Sequence, residues 1–134
     1  MESIAPNIFV QDMHATIDFY EQLGFRLEMT VPGPGEGPLV WAMMKSDQVT
    51  FMFQTFESLG QELPEVSRVS GGSLLFYINI KGIHSFFEQI QSKVTVLKGL
   101  HKTFYGATEF AILDNNRYVL TFAGDEQEIK LHES

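Results

Sequence analysis

Hydrophobic and polar positions along the chain change period several times, and each change marks an element. Residues 4–10, IAPNIFV, alternate and carry β-branched and aromatic side chains, which predicts a strand. From Met13 the period turns helical. Met13, Ile17, Tyr20 and Leu23, with Phe19 beside them, predict an amphipathic helix over about residues 13–23. Asp12 stands at a natural N-cap position and Gly24 at the C-terminal stop. Residues 25–31, FRLEMTV, alternate again as a strand. PGPGEGP at 32–38 is too rich in Gly and Pro for helix or strand and reads as punctuation. LVWAMMK and QVTFMFQ predict two strands joined by a hairpin at Ser46 and Asp47. Residues 55–72 lose the strand pattern and predict a connector with one helical turn.

The cycle then restarts. Residues 73–80, SLLFYINI, predict a strand, and 82–91 a helix with Ile83, Phe86, Phe87 and Ile90 on one face. KVTVLKG predicts a short strand. TEFAILD (108–114) and RYVLTFA (117–123) predict two more, around a turn at Asn115 and Asn116. The repetition extends to the residues themselves. FYEQL at 19–23 returns as FFEQI 67 positions later, and VTFMF at 49–53 returns as YVLTF 69 positions later. An offset held nearly constant from helix to last strand points to a duplicated β-α-β-β-β unit. The expected organisation is a single α+β domain over residues 1–134. Module one spans about 3–56, a connector about 57–72, module two about 73–124, and a polar tail 125–134.

Composition narrows the function. The chain has 134 residues, 44% of them apolar, with twelve Phe, enough for a substantial core. No apolar run is long enough to cross a bilayer, and no basic region precedes an apolar stretch at the N-terminus. No membrane partner and a cytoplasmic location are the expectations. Cys is absent, which removes disulfides and thiolate chemistry. Seventeen acidic against nine basic residues give a net charge of −8, which argues against nucleic acid; such a charge serves solubility in the first place, and it attracts cationic small molecules better than anionic ones.

The stretch VQDMHATIDFYEQLGF (10–25) resembles the opening motif of the vicinal oxygen chelate superfamily. EFAILDNNRYVLTFA (109–123) resembles that superfamily's closing motif, although Asn115 stands at its usual Pro and Arg117 at its usual Gly. The group includes glyoxalase I, extradiol dioxygenases and bleomycin-resistance proteins. The resemblance covers about residues 3–124. It implies two tandem βαβββ modules forming a curled mixed sheet around one cavity, commonly in a homodimer. In metal-dependent members it also implies a divalent ion held from the first and last strand of each module.

Carried onto this sequence, those ligand positions are Ala5, Met52, Leu75 and Thr121. None offers a carboxylate or imidazole, and a one-residue shift in any strand brings in no metal ligand either. The expectation is therefore no metal and no cofactor. The closest branch is that of the metal-free bleomycin-resistance proteins. His14 and His84 fall on the two helices, facing away from the implied cavity, and His132 on the tail. His101 falls in the loop before the strand at 108–114, near the expected cavity mouth.

Strand alternation gives the wall of the cavity. Candidate ligand-binding residues are Asn7, Phe9, Met52 and Gln54 in the first module and Leu75, Tyr77 and Thr121 in the second. Trp41, whose face the pattern leaves open, and His101 and Tyr105 complete the set. Such a wall suits an amphipathic or aromatic organic ligand held by stacking and a few hydrogen bonds. The alternative is a metal-dependent lyase, isomerase or dioxygenase with ligands at other positions, for which His101 and Glu109 are the nearest donors.

Overall fold

The structure, a computed structural model, describes residues 1–124. The expected polar tail at 125–134, with His132, lies outside the described residues. The chain forms two compact units, Met1–Ser70 and Gly71–Ser134. The first runs β1 (Asn7–Val10), α1 (Met13–Gln22), β2 (Arg26–Gly33), β3 (Gly37–Ser46), β4 (Val49–Thr55) and a short α2 (Phe56–Leu59). The second runs β5 (Leu75–Asn79), α3 (Ile83–Ile90), β6 (Thr95–Lys102), β7 (Thr108–Leu113) and β8 (Val119–Gly124). The strand orders are β1-β4-β3-β2 and β5-β8-β7-β6, so the two sheets share one topology and neither closes on itself. In each, the first strand lies parallel to the last and the other pairs are antiparallel.

Helix α1 starts where Asp12 adopts an extended conformation and its Oδ1 accepts the Ala15 N–H at 3.0 Å. It buries Met13, Thr16, Ile17 and Tyr20. The Tyr20 ring sits 4.9 Å from Phe53, 5.4 Å from Phe25 and 5.6 Å from Phe51. One face of the first sheet is thereby dry, with Ile8, Val10, Ala42, Met44, Phe51 and Phe53 all buried. In the second unit α3 does the same work. Phe86 packs 5.0 Å from Phe122 and Phe87 4.9 Å from Phe110, while Ile83 and Ile90 are buried. Each large apolar side chain so covered contributes about 1.5–3 kcal/mol.

Three expectations need correction. Residues 32–38 are not mere punctuation: β2 runs through Pro32 to Gly33, a 3₁₀ turn covers Pro34–Glu36, and β3 begins at Gly37. Pro32 is tolerated because β2 is an edge strand, and the register shifts beside it. Residues 37–39 pair with β2 alone, because pairing with β4 begins only at Trp41. The result is a two-stranded arm. Strand β6 is also longer than expected, and His101 lies within it rather than in a loop. Its register shifts twice, between Val96 and Lys98 and between Lys98 and His101, which breaks the alternation that reveals a strand. In the last turn, Asp114 Oδ1 accepts the N–H groups of Asn116 and Tyr118, both at 2.8 Å. Arg117 has φ +68°, so the turn keeps a left-handed position without a Gly. That geometry costs about 1–2 kcal/mol for a residue with a Cβ.

Candidate functional site: a carboxylate between two tyrosines

Each helix covers one face of its sheet, and the candidate residues lie on the other. In the first unit Asn7 is registered with Met52, Phe9 with Gln54, and Trp41 with Gln54. Register thus settles Trp41 onto the same open face as Asn7, Phe9, Met52 and Gln54. Asn7 Nδ2 donates to Gln54 Oε1 at 2.9 Å, and Gln54 Nε2 donates to Ser58 Oγ at 3.2 Å. This face is an aromatic and thioether surface with one amide pair engaged internally.

In the second unit Leu75 is registered with Val119 and Tyr77 with Thr121. Thr121 faces Ala111, and Glu109 faces Ala123 on one side and His101 on the other. Tyr77, Thr121, Glu109 and His101 therefore share the open face. Their chemistry differs sharply from that of the first unit. Tyr77 Oη and Tyr105 Oη each donate to Glu109 Oε2 at 2.5 Å. Glu109 is 7% exposed, whereas Tyr77 and Tyr105 are 49% and 58% exposed. A nearly buried carboxylate is clasped by two phenols whose rings remain accessible. Among the described residues Glu109 Oε1 accepts no hydrogen bond.

The electrostatics fix the protonation of this cluster. Burial pushes the Glu109 carboxyl up, but the bonds from Tyr105 and Tyr77, with the charges of His101 and Lys98, outweigh it and hold the carboxyl below its ordinary value. The Tyr77 phenol moves the other way. Its bond to Glu109, then burial and the bond to Tyr105, push it well above its ordinary value. Glu109 is thus an anion and Tyr77 a neutral donor throughout the physiological range. A general acid or base works best with its proton affinity near the ambient pH, and this cluster is driven away from it. The arrangement favours recognition over proton transfer.

Beside the clasp lies a cavity of about 530 Å³, bounded by Tyr77, Asn79, Lys81, Tyr105, Gly106 and Ala123, among others. Leu75 sits at the far end of β5, outside this cluster. His101 Nδ1 lies 2.8 Å from the Gly99 carbonyl, which orients the ring from its own strand. His14 and His84 are exposed on α1 and α3.

A divalent ion of the kind the resemblance implies does not fit the residues present. Ala5, Met52, Leu75 and Thr121 supply at most one neutral hydroxyl. Among the described residues, no three His, Asp or Glu side chains are grouped so as to hold a metal. Glu109 enters the sequence reading only as a donor for the metal-dependent alternative and not among the residues binding an organic ligand. Its only signal was a charge on an otherwise apolar strand, TEFAIL, four residues after a tyrosine.

Comparison with known proteins agrees with this topology. A family model described as the Glyoxalase/Bleomycin resistance protein/Dioxygenase superfamily matches residues 3–122. No curated protein matches the chain. A solved structure of a glyoxalase/bleomycin resistance protein/dioxygenase family enzyme from Burkholderia phytofirmans PsJN aligns with TM-score 0.72 and 21% identity, covering 90% of this chain and 95% of that one. A bleomycin-binding protein complexed with bleomycin aligns with TM-score 0.63 and 19% identity, covering 94% and 100%. TioX from Micromonospora sp. ML1 aligns with TM-score 0.67 and 14% identity, covering 92% and 98%. At these identities the likeness is one of fold. Among the described residues no helix is long and apolar enough to cross a membrane.

Proposed function

Given that the chain belongs to the glyoxalase/bleomycin resistance protein/dioxygenase superfamily, we propose that it is a small-molecule-binding protein that works without a metal. Its ligand is an amphipathic or aromatic organic molecule with a cationic or N–H donor group. The observation that carries this reading is the clasp of Tyr77 and Tyr105 on Glu109. A carboxylate held ionised in a mostly buried place, with one oxygen unengaged, attracts a positive group. The exposed phenol rings beside it offer faces for stacking and for a cation. Lys98 and His101 temper the local field, so contact with Glu109 Oε1 rather than long-range attraction sets the selectivity. The bleomycin-complexed neighbour supports a sequestering role by analogy of fold.

A homodimer in the cytoplasm belongs to the same reading. Exposed Met29 and Val31 on the edge strand β2 would be covered by a second copy.

The test uses acriflavine, a planar fluorescent cation, and fluorescein as a planar anionic control. Acriflavine anisotropy should rise on titration with the protein, the fluorescein signal should not, and Glu109→Gln should weaken binding about tenfold. Equal binding of both dyes, or a Glu109→Gln variant that binds acriflavine as well as the parent, would count against the clasp as the site. Stoichiometric divalent metal in the purified protein would favour the enzymatic alternative.

A further inference from the structure

A second cavity, of about 980 Å³, lies in the first unit. It occupies the same place in the repeated topology as the cavity beside the clasp. In the second unit the walls are the residues that follow β5 (Ile80, Lys81), the β6–β7 tip (Tyr105–Ala107) and the end of β8. In the first unit they are the residues that follow β1 (Gln11, Asp12), the β2–β3 arm, and the end of β4 with α2. The duplication has therefore kept a concavity in each half while changing its chemistry.

We propose that the cavity of the first unit is a separate ligand site, selective for a small organic cation with an apolar body. Its inner surface is largely apolar, built by Pro32, Pro38, Leu39, Val40 and Phe56. The Phe56 ring is steadied by Phe9, 6.3 Å away. Two carboxylates stand on the walls, Asp12 at the N-cap of α1 and Glu57 in α2, and among the described residues no Lys or Arg lines this cavity. The counterpart in the second unit carries Lys81. Asp12 Oδ1 is engaged by the Ala15 N–H, and among the described residues neither Asp12 Oδ2 nor the Glu57 carboxylate has a hydrogen-bond or ion-pair partner. Among the described residues no Lys or Arg on these walls offsets the two carboxylates, and the imidazole ring of His14 adds a further flat surface. An aromatic ring, an apolar floor and two carboxylates that still carry an unengaged oxygen among the described residues form the environment that a monocation with a hydrophobic portion satisfies. The volume lies at the upper end of the range for small-molecule pockets.

The experiment is amide NMR on the full chain titrated with benzyltrimethylammonium, and with benzyl alcohol as the uncharged ring. Shifts are expected at Gly33, Gly37, Val40 and Ser58 and at Gln11–His14, with the alcohol giving weaker effects at equal concentration. An Asp12→Asn, Glu57→Gln double variant removes both charges while Asn keeps the helix cap. It should retain a dispersed spectrum and bind the cation about tenfold more weakly. Shifts absent from these amides at millimolar cation, or a double variant that binds as the parent does, would overturn the proposal. The two sites are told apart in the same spectra. Perturbation confined to Tyr77, Tyr105 and Ala107 would sink this site and leave the clasp standing.

Discussion

Replacing Glu109 with Gln keeps the shape of the clasp and removes its charge. Both phenols can still donate, to an amide oxygen instead of a carboxylate. A hydrogen bond to a charged acceptor is worth about 1.5–3 kcal/mol net, against about 0.5–1.5 for a neutral one. Two such bonds would lose about 2 kcal/mol in a dry site. Tyr77 and Tyr105 are each about half exposed, so water competes for their hydroxyls, and Gln is the cheaper group to bury. The expected net loss is about 1 kcal/mol at pH 7, or a fall of about 3–5 °C in Tm for a chain of this size. The pH dependence supplies the sharper check. The Glu109 carboxyl is held below its ordinary value of 4.5, so its contribution is complete above that pH and fades as pH falls through the lowered folded-state value. Thermal melts of parent and variant from pH 7 down to about pH 3 should therefore converge toward the acid end. Equal melting temperatures at pH 7, or a gap that stays constant into acid, would refute the view that the ionised carboxylate holds the two tyrosines.

Other consequences follow from single positions. Among the described residues the buried Thr108 hydroxyl has no hydrogen-bond partner, so Thr108→Val should be neutral or stabilise by up to about 1 kcal/mol in urea unfolding; a loss above about 1 would show that the hydroxyl is satisfied. A Cβ at Gly124 would lie 2.9 Å from Ile83 Cβ and Cγ2 and 3.0 Å from the Ile80 carbonyl, so Gly124→Ala should cost about 1–3 kcal/mol by the same assay, and an unchanged midpoint would contradict that packing. Asp114→Ala frees two buried N–H groups of the last turn and should cost about 2–4 kcal/mol, with Asp114→Asn, which keeps an acceptor oxygen, costing less; equal losses would mean that a neutral acceptor does nothing there and contradict the hydrogen-bonding account.

The elements were legible because their periods are strong. The face of α1 is written in Met13, Ile17 and Tyr20, and the open face of β5 in Leu75, Tyr77 and Asn79, all by spacing alone. Pairing was the part the sequence hid. Trp41 could lie on either face until its register with Gln54 placed it. His101 could be read as loop because Gly99 and two register shifts interrupt β6, and only the pairing of β6 with β7 sets it opposite Glu109. Pro32 and Pro38 argued against strands, yet an edge strand and a two-stranded arm leave their missing N–H groups harmless. The clasp itself joins β5, the β6–β7 tip and β7, and no local pattern encodes contacts of that kind. Residue type at four positions told against metal ligands there, while the Glu109 cluster came from tertiary geometry.

The most direct measurement is calorimetric titration of acriflavine into protein stripped with a chelator, alongside Glu109→Gln. Undiminished binding after stripping, together with about a tenfold loss in the variant, is the predicted result. Binding that disappears with the metal and returns on adding a divalent ion would contradict it.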